Sequence, residues 1–449
     1  MTPRFVKALV ANSKGEFFEL DGYAAAGMAG AQCFPLRADR TINMPFGSEY
    51  FFLPDRRPVL FNLDTGRLET LFTDPHDADE PVFPVASFTA PGYTTTLTCA
   101  YVESAEARPL PLFSYAAVGW HRGRGRVAAI RVDAHRRQDL RLMPVEKIKA
   151  GVGDLRHQMP ENRLRAHLER CALTYGCPAA KNFFLGRCEA PLPTSISCNA
   201  RCCGCLSGQQ DEGIPSSQER IRFTPSAEEI ARVAVHHINR VRRRAIVSFG
   251  QGCEGEPLLA AAVIEPAIRR IRAAVSRGTI HMNTNASLPG VLDRLMEAGL
   301  DSIRVSLNSI RKPFYEAYYR PKGYHFEDVV QSIDLALAKG KFVSINYLSM
   351  PGFTDTAAEM TALLAFLDAH RVHMIQWRNL NFDPVRYGKI MGCGQTNDRL
   401  VGMKVLLETV RQACPWVKFG YFNPPKEDFF TPPASQIHRQ KNEDRTLMA

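Results

Sequence analysis

Hydrophobic and polar residues alternate along the first part of the chain in the way that is typical of β-hairpins. Three pairs of such segments are joined by short turns that contain glycine, at Ser13–Gly15, at Asp64–Gly66 and near Gly123. Prolines and glycines separate the other short apolar runs of this region. The pattern predicts a β-rich domain over residues 1–150, whose role the sequence leaves open.

Helical periodicity replaces this alternation after the β-rich domain. Leu164, Leu168 and Cys171 fall on one face of a predicted helix near residues 161–175, which a glycine then follows as a C-terminal cap. We therefore predict that residues 151–191 form a helical linker.

Short apolar strands and amphipathic helices alternate strictly from about Leu192 onward. Two of the helices begin with capping-box patterns, Ser226 with Glu229 and Thr356 with Glu359. Strict alternation of this kind favours a parallel sheet. The predicted strands are a short one before Cys198, followed by 245–249, 279–283, 302–307, 342–348 and 374–380.

About six strand–helix units therefore occupy residues 192–415, which is too few for a closed barrel of about eight units. An α/β architecture with a partial, open barrel fits this number, and so does a doubly wound sheet. Residues 416–449 are predicted to be a C-terminal extension with a polar, mobile tail from Thr431.

Composition limits the compartments and partners that are compatible with the sequence. No apolar run approaches the ~18 residues that cross a bilayer, and the first residues lack the pattern of a secretion signal, so we expect no membrane partner and a cytoplasmic location. In a reducing compartment, 12 cysteines indicate metal binding or catalysis rather than disulfides. The net charge of +10 suits an acidic partner without identifying it.

Two basic clusters contribute to this charge. The cluster His121–Arg126 is predicted at a hairpin tip, and the cluster Arg240–Arg244 ends a helix, on the face of the barrel away from the strand ends that carry the chemistry. Neither has the interleaved aromatic residues that stack on single-stranded bases. A non-catalytic, metal-stabilised RNA-binding protein is nevertheless the alternative to an enzyme.

The segment 195–208 contains four cysteines, of which Cys198, Cys202 and Cys205 have the spacing C-x3-C-x2-C. Three thiolates in so tight a loop can bind three irons of a [4Fe–4S] cluster and leave the fourth iron open. Zinc is a second possibility, but structural zinc uses four closed ligands, usually as two separated pairs, and no second close pair is evident.

This loop resembles the signature of the radical S-adenosylmethionine (radical SAM) superfamily. The resemblance implies an α/β fold with a partial (βα)6 barrel, here preceded by the β-rich domain. It implies that Cys198, Cys202 and Cys205 bind a [4Fe–4S] cluster, whose open iron binds S-adenosylmethionine. An electron from a donor such as flavodoxin or ferredoxin then cleaves S-adenosylmethionine to a 5′-deoxyadenosyl radical, which abstracts hydrogen from an unknown substrate.

Further positions match that family in order along the barrel. Gly255, Glu256 and Pro257 resemble its G-G-E-P segment, with Glu254 in place of the first glycine, and imply a grip on the methionine amino group. Polar residues also follow successive strands, as expected where the carboxyl ends of parallel strands form a site. These implied S-adenosylmethionine contacts are Asn283, Asn285, Ser306, Asn308 and Asn346.

Two departures stand next to the cysteines. The residue before the last cysteine is often aromatic in this family, but here it is Gly204. Cys203 is an additional thiol. Using it as the middle ligand would leave one residue between two thiolates, so we expect Cys203 to point away and pack as a small hydrophobic residue.

Other candidates are less specific. Arg320, Arg378 and Asn379 follow predicted strands and are the candidate substrate contacts, while no catalytic residue is assigned. Cys253 and Cys393 lie near strand ends and could face the cavity. An auxiliary iron–sulfur cluster at Cys171, Cys177 and Cys188 is the alternative to a core thiol, which is the ordinary expectation for Cys171 on the apolar face of a helix. The substrate, the fate of S-adenosylmethionine and the oligomeric state are open.

Overall fold

A computed structural model of the chain describes residues 5–135, 137, 139–209, 213–393 and 398–431, so nearly all of the predicted tail lies outside the described residues. The strands of the N-terminal region pair with one another in antiparallel fashion. These strands are β1 (Lys7–Ala11), β2 (Phe17–Ala24), β3 (Ala26–Ala29), β4 (Gln32–Pro35), β5 (Ile42–Asn43), β6 (Glu49–Phe52), β7 (Arg56–Asn62), β8 (Leu68–Thr70), β9 (Thr73–Asp74), β10 (Asp77–Pro81), β11 (Phe83–Phe88), β12 (Tyr93–Thr95), β13 (Thr98–Cys99), β14 (Tyr101–Glu103), β15 (Ala116–His121), β16 (Arg124–Val127) and β17 (Ala129–Arg131).

Thirteen of these strands form one sheet, and the other four pair as β9–β10 and β12–β17. The three predicted hairpins are confirmed as the antiparallel pairs β1–β2, β7–β8 and β15–β16. The glycine of each turn has a positive φ, between 67° and 78°, which explains why the pattern at these turns is so readable. The N-terminal region is therefore β-rich, as predicted.

Three helices rather than one connect this region to the second sheet: α1 (Val145–Gln158), α2 (Arg163–Leu173) and α3 (Pro178–Leu185). The sequence reading missed α1, part of which falls in the range predicted as β-rich, because its two glycines lower helix propensity. Gly151 has a packing reason to be there. A Cβ atom at this position would lie 2.2 Å from the carbonyl oxygen of Phe184 on α3.

The second sheet is parallel, and its seven strands lie side by side in chain order. Its strands are β18 (Glu189–Pro191), β19 (Ile246–Phe249), β20 (Thr279–Thr284), β21 (Ser302–Leu307), β22 (Phe342–Ser349), β23 (Met374–Asn379) and β24 (Lys418–Gly420). Its helices are α4 (Ala227–Val241), α5 (Ala261–Ala274), α6 (Pro289–Ala298), α7 (Lys312–Tyr319), α8 (Phe326–Ala338), α9 (Ala357–His370), α10 (Pro384–Ile390) and α11 (Met403–Ala413).

This arrangement confirms the predicted partial (βα)6 barrel with an N-terminal β-rich region. The seventh strand, β24, was not predicted because it is only three residues long. The capping box of α4 is complete, whereas α9 has only half of one. The Glu359 carboxylate of α9 turns to the Ser309 hydroxyl at 2.9 Å and the Arg311 guanidinium at 2.5 Å.

The barrel strands separate an apolar outer face from a polar inner face. On β21, Ile303 and Val305 are fully buried in the core under the helices. The intervening residue Arg304 points to the other face of the sheet, because side chains alternate along a strand. Its side chain is only partly buried. The inner face of the sheet therefore carries a partly exposed cationic side chain.

The N-terminal β-rich region packs against the carboxyl ends of β22 and β23. Thr94 donates its hydroxyl to the carbonyl oxygen of Trp377 at 3.1 Å, and the amide of Gly30 bonds to the carbonyl of Pro351 at 3.1 Å. This region thus forms part of the wall around the end of the barrel where the candidate site lies. Among the described residues, no helix combines the length and the apolar character needed to cross a membrane.

Candidate active site

The cysteine loop begins after the carboxyl end of β18 and is held by the last residues of α7 and the chain that follows them. The amides of Arg201 and Cys203 donate to the carbonyls of Tyr319 and Tyr318, at 2.9 and 3.0 Å. The amide of Lys322 in turn donates to the carbonyl of Asn199 at 2.8 Å. These backbone bonds give the loop a defined shape before any metal binds.

The four thiols of the loop divide as the spacing predicts. Cys203 is fully buried, and its thiol donates to the carbonyl oxygen of Ala317 at 3.6 Å, so it packs into the core. Cys198, Cys202 and Cys205 are only partly buried. Burial, followed by the proximity of the other two thiols, raises the pKa of Cys202 well above its ordinary value. Three thiolates here need a compensating positive charge, which suits an iron–sulfur cluster.

Gly204 makes room for an aromatic side chain from another element. A Cβ atom at this position would lie 2.6 Å from the hydroxyl oxygen of Tyr318. Tyr318 is almost fully buried against the same loop. The aromatic residue that the resemblance leads one to expect at position 204 is therefore absent there, but an aromatic ring from α7 lies against that position.

The segment Gly255–Pro257 fits tightly against the cysteine loop. The amides of Gly255 and Glu256 donate to the carbonyls of Ser195 and Ser197, at 2.8 and 2.9 Å. A Cβ atom on Gly255 would lie 1.9 Å from the carbonyl oxygen of Ser197, so this position requires glycine. Pro257 then begins a 3-10 turn, Pro257–Ala260.

The Glu256 carboxylate is buried and joins this segment to the end of β20. It accepts hydrogen bonds from the Thr284 hydroxyl at 2.5 Å and from the amides of Asn285 and Leu258 at 2.7 and 3.1 Å. Burial raises the pKa of Glu256 to about 7, and these hydrogen bonds oppose the rise. A carboxylate has roughly four acceptor positions, so it can accept a further donor such as an ammonium group.

Glu254 is a buried clamp whose function the sequence did not suggest. Its carboxylate accepts four backbone N–H groups, at 2.7 to 3.0 Å, from Thr194, Ser195, Gly250 and Gln251. Burial raises the pKa of Glu254 to about 7, and the four N–H groups act in the opposite direction. The carboxylate thereby joins the loops that follow β18 and β19.

Asn283 and Asn285 lie at the end of β20, as predicted, but both amides are engaged inside the protein. Asn283 donates to the carbonyls of Phe249 and Gly250 at 3.1 and 2.7 Å. Asn285 donates to the side-chain oxygen of Asn199 in the cysteine loop at 2.8 Å. Their contact with S-adenosylmethionine stays a prediction, and what the geometry gives them is a part in holding the loops.

Ser306 and Asn346 are neighbours across β21 and β22 and are both partly buried on the inner face. The side-chain oxygen of Asn346 is buried and has no hydrogen-bond partner among the described residues. Asn308 lies elsewhere: its amide donates to the Phe314 carbonyl at 3.1 Å and to the Tyr387 hydroxyl at 3.2 Å. The side-chain oxygen of Asn308 is likewise buried without a partner among the described residues, so two of the predicted contacts, Asn308 and Asn346, have a free acceptor.

The three candidate substrate contacts are not brought together. Arg320 is exposed at the end of α7. Asn379 uses its amide to hold β12, accepting from the amide of Thr95 at 2.8 Å and donating to the carbonyl of Tyr93 at 3.0 Å. Arg378 lies on the inner face of β23, with its guanidinium 4.2 Å from the centre of the Tyr421 ring.

Arg304 joins Arg378 inside the barrel, and sequence reasoning missed it. It donates to the side-chain oxygen of Gln376, while its Nε is buried without a hydrogen-bond partner in the described part of the chain. Burial and the neighbouring Arg378 lower the pKa of Arg304, and Glu189 on β18 partly offsets this. A charged residue between Ile303 and Val305 in a buried strand was the available signal.

The upstream cysteines do not form one set. The carbonyl of Cys188 accepts the amide of Ile246 at 3.0 Å, at the beginning of β19 and away from the cysteine loop. Cys171 lies instead beside His167 and Cys253. The arrangement gives no support to a cluster made by Cys171, Cys177 and Cys188.

The family model described as the Radical SAM superfamily matches residues 192–365. Among curated proteins, the GTP 3′,8-cyclase of Chlorobaculum tepidum is 27% identical over 227 residues, which cover 49% of this chain and 62% of that protein. The molybdenum cofactor biosynthesis protein 1 of Mus musculus is 28% identical over 256 residues, 56% of this chain and 36% of that protein. The chain thus spans less than two thirds of each of these relatives.

Solved structures also match. The FeFe-hydrogenase maturase HydG from Carboxydothermus hydrogenoformans is 15% identical, with coverage of 63% of this chain and 70% of that chain and a TM-score of 0.36. The family match spans the cysteine loop, the Gly255–Pro257 segment and four of the barrel strands, β19 to β22. It implies a [4Fe–4S] cluster and S-adenosylmethionine as cofactor and co-substrate. Residues 192–365 therefore form a radical SAM domain, as the cysteine loop predicts, and a domain of this superfamily indicates an enzyme.

Proposed function

We propose that this enzyme carries out a radical cyclisation of a purine nucleoside triphosphate, as the name GTP 3′,8-cyclase describes for its relatives. The observation that carries the proposal is the pair Arg304 and Arg378 on the inner face of the barrel. Two partly buried guanidinium groups on the same face of the sheet form a site for a strongly anionic substrate.

The unpaired donor on Arg304 supports this reading. Its buried Nε has no hydrogen-bond partner among the described residues, and a buried donor without a partner costs about 1–3 kcal/mol. A phosphate oxygen would satisfy this donor and would also offset the repulsion between Arg304 and Arg378. Glu189 provides one carboxylate near Arg304. One negative charge does not neutralise the two positive charges of Arg304 and Arg378.

Cys198, Cys202 and Cys205 are the residues that we expect to hold the [4Fe–4S] cluster, with S-adenosylmethionine beside Glu256. When bound, the cluster and S-adenosylmethionine together supply a 5′-deoxyadenosyl radical that abstracts a hydrogen atom from the substrate. The Glu256 carboxylate can accept the methionine ammonium, and Asn346 offers a free amide oxygen to the same ligand or to the substrate. We expect a low-potential donor such as flavodoxin or ferredoxin to deliver the electron.

A bond from C3′ to C8 requires that C3′ first lose its hydrogen. The inner face must therefore hold the ribose toward the cysteine loop, with the phosphates on the arginines. The strand pair β12–β17 contributes to this orientation, because β12 packs against β23 beside Arg378. A substrate held between β21 and β23 would be covered on that side.

The test is the formation of 5′-deoxyadenosine by the reconstituted full chain, without oxygen, with dithionite, S-adenosylmethionine and GTP. We expect GTP, and not ATP, to stimulate it, and deuterium from [3′-²H]GTP to appear in 5′-deoxyadenosine.

Each lost charge-assisted contact is worth ~1.5–3 kcal/mol, so Arg304→Met and Arg378→Met should each lower kcat/KM for GTP by roughly tenfold to a hundredfold.

Three variants serve as controls. Arg294→Met removes an exposed arginine of α6 and should leave the activity unchanged. Cys203→Ala should keep both the iron content and 5′-deoxyadenosine, whereas Cys202→Ala should lose both. Deuterium that stays in GTP, or equal effects of Arg294→Met and Arg304→Met, would contradict the proposed substrate; loss of iron from Cys203→Ala would contradict the ligand set.

A further inference from the structure

A second group of side chains of metal-ligating types lies between α2 and the loop that carries Glu254 and Glu256. His167 and Cys171 are one turn apart on α2, and Cys253 belongs to the loop between β19 and the Pro257–Ala260 turn. Their ligand atoms all lie within 4.8 Å of one another. The Nε2 of His167 is 3.5 Å from the Sγ of Cys171.

These separations suit a single ion with tetrahedral geometry. Bonds of about 2.3 Å to sulfur and 2.0 Å to nitrogen place neighbouring ligand atoms roughly 3.5 to 3.8 Å apart. A cubane cluster does not draw its ligands together in this way, because each thiolate binds a different iron. Cys171 and Cys253 are buried and His167 is partly buried, so the ligands are shielded from bulk water.

We propose that His167, Cys171 and Cys253 bind one zinc-class divalent ion. Binding releases the two thiol protons to solvent and uses the neutral imidazole through Nε2, so the bound site carries no net charge. Imidazole and thiolate together favour zinc over magnesium or calcium, which prefer oxygen ligands.

A fourth position is within reach of Cys177. The chain turns back after α2, and the amide of Cys177 donates to the carbonyl of Cys171 at 2.9 Å. The Cys177 side chain is partly buried against the same core. A rotation of this side chain, with release of a third thiol proton, would complete a Cys3His set of net charge −1, which is a common ligand set of structural zinc.

The ion would connect the helices before the barrel to the loop that carries Glu254 and Glu256. The carbonyl of Cys253 already accepts the amide of Ile221 at 2.8 Å, and Glu254 next to it clamps two loops. Holding Cys253 therefore restrains the segment that supports the cysteine loop. The role is structural, and it is independent of which substrate the enzyme uses.

The test uses the full chain with Cys198, Cys202 and Cys205 replaced by alanine, so that the loop cysteines cannot bind metal. The reduced protein is stripped with a chelator and titrated with Co²⁺ without oxygen. We expect one Co²⁺ per chain, with the intense visible bands of a tetrahedral thiolate site, and displacement by one Zn²⁺. Cys171→Ala, Cys253→Ala and His167→Ala should each weaken Co²⁺ binding at least about tenfold.

Cys414→Ala is the matched control, because it removes a buried thiol on the far side of the barrel. The titration of the protein that keeps His167, Cys171 and Cys253 does not depend on whether the variants of these three residues fold. The absence of tetrahedral bands in that titration would overturn the proposal. So would equal weakening by Cys414→Ala and Cys253→Ala, or a Cys171–Cys253 disulfide in place of a bound ion in protein purified under reducing conditions.

Discussion

At the scale of single residues, buried carboxylates organise the loops around the cysteines. Glu254 and Glu256 both lie in the loop after β19 and are each about 5% exposed or less. Glu254 contacts only backbone N–H groups, whereas Glu256 also contacts the Thr284 hydroxyl. The first therefore shapes the loops, and the second has an acceptor position left for a ligand.

Replacing Glu254 with glutamine tests this division. An amide has only one acceptor oxygen, and its NH2 group would face two of the four N–H donors. Losing buried partners costs about 1–3 kcal/mol each, so Glu254→Gln should lower the free energy of unfolding by roughly 2–4 kcal/mol. Urea unfolding measures this change.

The control is Glu408→Gln on α11, where the side chain is 52% exposed. Its midpoint in urea should match that of the unaltered protein. If Glu254→Gln unfolds at the same urea concentration as Glu408→Gln, the carboxylate does not clamp the loops.

At the scale of elements, α1 shows how packing can reverse a local preference. Gly151 and Gly153 lie two residues apart in this helix. A Cβ atom on Gly151 would collide with the carbonyl of Phe184 on α3, whereas a Cβ atom on Gly153 would meet nothing within 4 Å. The first glycine is needed for helix contact, and the second is not.

The matched pair Gly151→Ala and Gly153→Ala should therefore change stability in opposite directions. Alanine is favoured over glycine in a helix by ~0.5–1 kcal/mol, so Gly153→Ala should stabilise the protein by that amount. Gly151→Ala should destabilise it by about 1–3 kcal/mol, because α1 and α3 must move apart. Thermal unfolding of both variants measures the difference, and two shifts of the same sign would contradict the packing of α1 on α3.

At the scale of the whole molecule, a buried ion pair joins the N-terminal sheet to the barrel. Arg56 on β7 has a side chain that is 1% exposed and lies 3.2 Å from the Asp383 carboxylate at the beginning of α10. The same carboxylate accepts the Tyr101 hydroxyl at 3.1 Å and caps α10 through two amides. The two regions therefore share a buried charge, and their stabilities are linked.

Replacing Asp383 with asparagine should destabilise both regions together. Asp383→Asn leaves Arg56 with Glu103, 3.1 Å away and partly exposed, as its remaining carboxylate, so we expect a cost of about 1–3 kcal/mol. Asp383→Asn should lower the urea midpoint followed in parallel by circular dichroism and tryptophan fluorescence. Asp368→Asn, on an exposed part of α9, should not. A normal midpoint for Asp383→Asn would show that the regions are not coupled through this pair.

Sequence patterns predicted those features of the fold and the site that depend on neighbouring residues in the chain. The period of two predicted the hairpins, strict alternation predicted the parallel sheet, and the spacing around Cys203 predicted its burial. Contacts between distant segments were out of reach: Arg304 becomes informative only beside Arg378, and Cys253 only beside His167. The helix α1 was missed because its glycines serve a neighbour that the local pattern does not contain.

The contact between Gly30 and Gly352 limits how this protein can be rearranged. Both residues have positive φ, 59° and 89°, and a Cβ atom on Gly352 would lie 1.7 Å from the backbone nitrogen of Gly30. Two main chains meet here with no side chain between them. The N-terminal region is therefore a poor module to exchange, because any chimaera must import a glycine turn of the same shape. Recombination within this architecture must carry both turns together.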